Sequence, residues 1–108
     1  MKVSYRQTAS DDVVRQFRYY LVTLDRPEVA VRFRESVRRT IEELRRHPLV
    51  GSRCGLSNPQ FEELRSWPVT GFEATRIYYL VDHDILRIIR ILHGKRDVQG
   101  ILQRESTV

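Results

Sequence analysis

The chain has 108 residues, 41% of them hydrophobic, and 19 Lys+Arg against 14 Asp+Glu give a formal net charge of +5. That size suits one domain, residues 1–108, with one core, and excludes a second; the positive balance favours nucleic acid or an acidic protein as partner. Cys54 is the only cysteine, so no intrachain disulfide forms, and no segment approaches the run of about 20 apolar residues that spans a bilayer.

The N-terminus MKVSYRQTASDD has no apolar signal-like region, and the chain reads as a cytoplasmic protein with no membrane association. Lys2 to Arg6 alternates, with Val3 and Tyr5 on one side, as a short edge strand does. Thr8 or Ser10 then caps a first helix. Thr8 and Asp11 have capping-box spacing, and Asp11 and Asp12 place negative charge at the positive end of the helix dipole. Val13, Phe17, Tyr20, Leu21 and Leu24 make its apolar stripe, with Arg15 and Arg18 off it.

Asp25-Arg26-Pro27-Glu28 ends the first helix and starts the second, with Pro27 in the first turn and Asp25 and Glu28 again at capping-box spacing. So short a connection makes an antiparallel helical hairpin. Ala30, Phe33, Val37, Ile41 and Leu44 form the second apolar stripe, and His47-Pro48 ends it. Arginines crowd the remaining surface, but Glu35, Glu42 and Glu43 are interleaved with them, which favours a solvated, salt-bridged face over a nucleic-acid reader.

Leu49 to Gln60 has two glycines, a proline and no period, and reads as a loop. Phe61 to Trp67 follows as a strand, and Pro68 to Phe72 as a turn with Gly71 at positive φ. From Ala74 to Asp97, two apolar runs, Ile77–Val81 and Ile85–Leu92, flank Asp82-His83-Asp84 and predict a β-hairpin. The second run is interrupted only by Arg87 and Arg90, so it reads as a central strand covered on both faces. Asp97 caps a short closing helix that carries Val98, Ile101 and Leu102. The fold class is therefore α+β: an N-terminal strand and an antiparallel helical hairpin packed on one face of an antiparallel sheet, then a short C-terminal helix. The opposite face of the sheet is expected to be exposed and to carry the contacts or the chemistry.

His47, His83, His93 and Cys54 lie far apart with no metal-ligand spacing, and neither a dinucleotide fingerprint nor a P-loop is present, so no metal or cofactor is expected. Cys54 reads as an incidental free thiol. The chemistry-bearing residues are Arg65, Arg76, Tyr78, Arg87, Arg90, His93, Lys95 and Arg96, on the last strands or at their exit. Metal-free phosphodiester cleavage needs a general base, an acid, and cations for the charge developing on phosphorus. His93 with Arg65 and Arg90 has the right residue types. The alternative reading is structural, with Arg87 and Arg90 paired to Glu62, Glu63 or Asp82 and His93 hydrogen-bonded at a strand end.

The segment Leu64 to Asp97 resembles the signature of the RelE/ParE superfamily of type II toxins, and is most similar to its ParE (plasmid stabilisation) branch. The residues that carry the resemblance are Arg65, Pro68, Val69, Gly71, Phe72, Tyr79, Leu92, His93, Gly94, Arg96 and Asp97. The resemblance implies a small RelE/ParE-like sandwich and a toxin held inactive, in a hetero-oligomer, by a cognate antitoxin of ParD or another type. It implies a target as well: DNA gyrase, with replication stalled, for the ParE branch, or mRNA on the ribosome for a RelE-type endoribonuclease. The chain has almost no lysine and no tyrosine after Tyr79, which leaves the ribonuclease pattern under-equipped and favours a gyrase-binding toxin that is not an enzyme. On this reading Arg65, Arg76, Arg87, Arg90, His93, Lys95 and Arg96 face the target, and Phe17, Tyr20, Phe33 and Val37 of the helical hairpin face the antitoxin. In the ribonuclease alternative His93, Arg65 and Arg90 are the catalytic set.

Overall fold

The computed structural model describes residues 1–94 and 97–106. The chain runs β1 (Lys2–Tyr5), α1 (Gln7–Arg18), a π-helical turn (Tyr19–Thr23), α2 (Pro27–Arg46), β2 (Ser52–Arg53), a 3-10 turn (Pro59–Phe61), β3 (Arg65–Val69), β4 (Phe72–Asp82), β5 (Ile85–His93) and α3 (Val98–Ser106). The strands form one sheet in the order β1-β5-β4-β3-β2. β5 is central, as its apolar run implies. β4 flanks it antiparallel, whereas β1 flanks it parallel, with Val3 opposite Leu86 and Tyr5 opposite Ile88. The sheet is therefore mixed, which corrects the all-antiparallel expectation: side-chain alternation marks a strand but carries no information about its direction.

The helical hairpin covers one face of the sheet. Ala9, Phe33, Val37, Ile41 and Leu44 meet Val69, Ile77, Tyr79, Leu86, Ile88 and Ile91 in the main core. The opposite face is not bare, contrary to expectation. Tyr78, Ile89 and Leu92 point to that side, where Phe61 and Leu64 of the 54–64 segment and Leu102 of α3 close over them. β5 carries a bulge, since Tyr78 pairs with Arg90 and Tyr79 with Ile88, leaving Ile89 unopposed. The bulge keeps both Ile89 and Leu92 in the second cluster while Ile88 and Ile91 stay in the first.

Several local expectations change. α1 begins one residue after Arg6, with no side-chain cap; Asp11 accepts from Gln7 instead, and Asp12 is turned inward and fully buried. α2 also lacks a side-chain cap, although Pro27 opens it as read; Asp25 adopts φ 51 to reverse the chain, and Glu28 accepts from Arg26 Nε. The first helix continues past Arg18 as a π-helical turn. Its wider spacing rotates later residues off the α-helical stripe, and Leu21 and Leu24 face solvent rather than the seam. The strand expected over Phe61–Trp67 starts only at Arg65, because Asn58 accepts from the Gln60 N–H and winds Pro59–Phe61 into a 3-10 turn. Part of the expected 49–60 loop pairs as β2. Pro68 and Val69 belong to β3, and the turn narrows to Thr70-Gly71, with Gly71 at φ 83 as expected. Asp97 caps α3 as read, accepting from the Gly100 N–H.

Candidate functional site

β1 stops at Tyr5, opposite Ile88, while β5 continues to His93. The last stretch of β5 would therefore expose an unpaired edge. α1 follows β1 directly and supplies the missing partners from side chains one turn apart. Asp12 Oδ2 accepts the Ile91 N–H at 2.9 Å, and Gln16 Nε2 donates to the Ile91 carbonyl at 2.9 Å. The Gln16 amide oxygen in turn accepts from the buried Thr75 hydroxyl at 3.0 Å.

The same carboxylate anchors Arg90. Nε and Nη2 of Arg90 each donate to one Asp12 oxygen at 2.8 Å, a bidentate fork. Arg15 also donates to Asp12, and Arg90 Nη1 donates to Glu105 of α3. Glu105 accepts from Arg6 Nη1 at 3.0 Å as well. This chain of five charges joins α1, β5, α3 and the exit of β1. The Asp12 hydrogen bonds hold the Arg90 pKa above its ordinary value, outweighing the cost of burial. Arg90 is thus a permanent cation whose donors face protein carboxylates.

The other arginines expected at one site are dispersed. Arg65 Nη1 donates to the carbonyls of Gly51 (2.7 Å) and Leu49 (3.2 Å). Its cross-strand partner Tyr79 grips the same loop, with the hydroxyl donating to the Pro48 carbonyl (2.7 Å) and accepting from the Gly51 N–H (2.9 Å). Arg76 donates from Nε and Nη2 to the Ser66 hydroxyl on β3. Arg87 pairs with Asp82 at the tip of the β4–β5 hairpin, as the structural alternative held. Lys95 and Arg96 lie outside the described residues. Burial holds the Cys54 thiol above its usual pKa despite the Ser66 hydrogen bond and nearby Arg76, so it is not an activated nucleophile.

His93 is exposed at the exit of β5 and lies on the helical side. There it joins Arg15, Gln16, Tyr19 and Tyr20 around an open pocket of about 480 Å³. None of Arg65, Arg76, Arg87 and Arg90 lines that pocket. Of the hairpin residues expected to meet an antitoxin, Phe33 and Val37 are core, 0% and 5% exposed, and leave almost no surface for a partner. Tyr20 packs on Phe33 and Phe72, and Phe17 lies under the Arg34 guanidinium. Among the apolar side chains that do face solvent on this hairpin are Val14 of α1, Val31 of α2, and Tyr19, Leu21, Val22 and Leu24 at the connecting turn.

Gln16 and Glu105 were not singled out from the sequence, and Asp12 was read only as a charge facing the helix dipole. A signal existed for Asp12 and Gln16: with Ala9 they share one stripe of α1, and a carboxylate on an inward stripe requires a cation. Among the described residues no cluster of three potential metal ligands occurs, and no helix is long and apolar enough to cross a membrane.

A comparison with curated proteins finds no match. Among solved structures, one described as the chromosomal ParDE TA system from P. aeruginosa superposes with a TM-score of 0.70, covering 88% of this chain and 97% of that chain at 18% identity. That likeness shows the fold, an α+β arrangement of helices on a five-stranded mixed sheet. The family model described as ParE toxin of type II toxin-antitoxin system, parDE, matches residues 3–98. The match runs from β1 to the start of α3, and the chain belongs to this family of ParE toxins, whose members are the toxin components of type II toxin-antitoxin systems and have an antitoxin as partner.

Proposed function

We propose that this toxin acts in the cytoplasm by binding DNA gyrase and stalling replication, and that its antitoxin neutralises it in a hetero-oligomer. The observation that carries this reading is the dispersal of the cationic residues. A phosphodiester-cleaving site needs several cations aimed at one set of phosphoryl oxygens. Here Arg90 is held between Asp12 and Glu105, Arg65 by the 49–51 carbonyls, Arg76 by Ser66 and Arg87 by Asp82. Their geometry suits a rigid scaffold that binds its target. His93 and exposed arginines such as Arg18, Arg38 and Arg46 stand on the surface for contact.

The test is ATP-dependent supercoiling of relaxed plasmid by purified gyrase, with and without the toxin, followed by detergent and protease. Loss of supercoiling with accumulation of linear DNA is expected. Full gyrase activity with the folded toxin present, together with translation-dependent mRNA cuts that His93→Ala abolishes, overturns the reading in favour of a ribosome-dependent endoribonuclease.

A further inference from the structure

The open pocket of about 480 Å³ beside His93 falls within the size range of small-ligand sites, about 300–1,000 Å³. Two successive tyrosines line it where the first helix passes into its π-helical turn, a backbone form found mostly at functional positions. Tyr20 is fixed against Phe33 and Phe72, with ring centroids 5.4 and 5.8 Å away. Tyr19 is 50% exposed and stands 5.8 Å from Tyr20 at an interplanar angle of 69°, so the two rings make a corner. A planar group laid on one ring meets the other edge-on, and both are arrangements that aromatic groups favour.

The rest of the wall is selective in what it offers. The Gln16 amide is engaged inside the protein, its nitrogen with the Ile91 and Asp12 carbonyls and its oxygen with the Thr75 hydroxyl. Among the described residues no carboxylate lines the pocket. The Arg15 guanidinium is 60% exposed and gives Nη2 to Asp12, which leaves further N–H donors of its fork for a ligand. His93 is exposed beside it, and the exposed Arg18 follows one helical turn beyond Arg15. An anion with a flat aromatic body uses both the corner and the cations, and a nucleotide is such an anion: its base stacks and its phosphate pairs. A base in a closed duplex is already stacked and has no free face to give. With the Gln16 amide engaged, no side-chain amide reads a base edge, so recognition by stacking is tolerant of sequence. The same engagement removes the amide acceptor that a ribose 2′-hydroxyl would need, and the pocket has no side-chain amide with which to prefer RNA.

We infer that this pocket takes one unstacked nucleotide of single-stranded DNA, with the base against Tyr19 and Tyr20, its phosphate on Arg15 and His93, and the neighbouring phosphate near Arg18. The stacking site itself follows from the pocket. The choice of DNA as the strand rests on the gyrase reading, since an enzyme that breaks DNA strands presents unstacked bases.

The experiment is fluorescence anisotropy of a labelled single-stranded oligothymidylate of about ten nucleotides with the purified toxin, no gyrase being present, at about 150 mM salt. Saturable binding is expected. Tyr19→Ala is expected to weaken it about tenfold, the range of one lost base stack, and Tyr19→Phe, which keeps the ring, by no more than about twofold. Arg15→Gln is expected to lower the slope of log affinity against log salt by about 0.7, one phosphate contact, while Tyr19→Ala leaves that slope unchanged. Arg39→Gln, the loss of an exposed cation on α2, is expected to change neither quantity. Thermal melts establish that each variant folds. No binding by the folded wild type overturns the proposal, as does unchanged affinity in Tyr19→Ala. Equal affinity for the paired duplex, or equal displacement by polyglutamate, makes the attraction one of general charge and also overturns it. An oligouridylate that binds more than tenfold tighter overturns the choice of DNA. The supercoiling assay separates the two readings: gyrase inhibited by a toxin that binds no oligonucleotide overturns the pocket and leaves the target standing, whereas Tyr19-dependent binding with gyrase unaffected supports the stacking site and overturns the target.

Discussion

Asp12 on α1 and Arg90 on β5 form a buried bidentate ion pair across 78 residues of sequence, with the carboxylate 0% and the guanidinium 13% exposed. The carboxylate also completes the β5 edge at Ile91, so one side chain closes both a charge balance and a strand edge. Asp12→Ala leaves Arg90 without its main partner and the Ile91 N–H without an acceptor. A loss of about 3–5 kcal/mol is expected, as for a buried pair deprived of one partner. Asp12→Asn keeps an acceptor for Ile91 and is expected to cost less. Urea unfolding of the two variants checks the order.

The loop at Gly51 is fixed by space. A Cβ there would lie 2.4 Å from the Tyr79 hydroxyl and 2.8 Å from the Ser66 carbonyl. Because Ser66 is strand backbone, it has little room to move. Gly51→Ala is therefore expected to destabilise by about 1–3 kcal/mol through overpacking and the displaced hydroxyl, a drop in melting temperature read directly by calorimetry.

Burial raises the Tyr79 pKa, against smaller opposing effects from the Gly51 N–H and Arg65. The unfolded phenol titrates near about 10, so the folded state resists ionisation. Stability from this source is fully present below about pH 10 and is lost as pH rises through the higher folded value. Tyr5, Tyr20 and Tyr78 shift the same way, each chiefly through burial. The wild type is expected to lose stability steeply above about pH 10. Tyr79→Phe, less stable at neutral pH, should show a shallower alkaline loss in denaturant titrations from pH 8 upward.

Of all this, the two hairpins were legible because each rests on a local period: 3.6 in Val13 to Leu44, and strand alternation from Ile77 to Leu92. The capping residues misled because Thr8 and Asp11 have the right chemistry and spacing at a helix start, yet α1 opens without a side-chain cap, and tertiary demand turns the neighbouring Asp12 inward. β1 is shorter than β5, and that difference, invisible to any local pattern, draws Asp12 inward. Arg90 stood out as a cation within an apolar run, but its partners lay in α1 and α3, far off in sequence. The cover on the second face depends on Phe61 and Leu102 converging from separate segments, and no periodicity links them.

Cys54 offers a kinetic check on its surroundings. With its pKa raised by burial, the thiolate fraction at neutral pH falls below that of a free cysteine. Reaction with an aromatic disulfide reagent at pH 7.5 is expected to be several-fold slower than in urea, with the rate in the folded state climbing at higher pH than that of a free thiol. Equal rates in the two conditions would contradict the burial.

His83 occupies φ 55 in the two-residue loop between Asp82 and Ile85, a conformation costly for any residue with a Cβ. His83→Gly relieves that strain but adds freedom to the unfolded chain. A net gain of about 0.5–1 kcal/mol is expected, read as a rise of a few degrees in melting temperature.

The parallel pairing of β1 with β5 also sets a clock on synthesis. Strand residues 2–5 are made first, yet their neighbours at 85–88 leave the ribosome several seconds later at roughly 5–20 residues per second. Until then the first strand has no place in a sheet, and the buried acid of α1 has Arg15 but not Arg90 as a partner. A nascent toxin therefore cannot assemble its native sheet before the chain is nearly finished, and one that ends before residue 85 leaves its first strand unpaired.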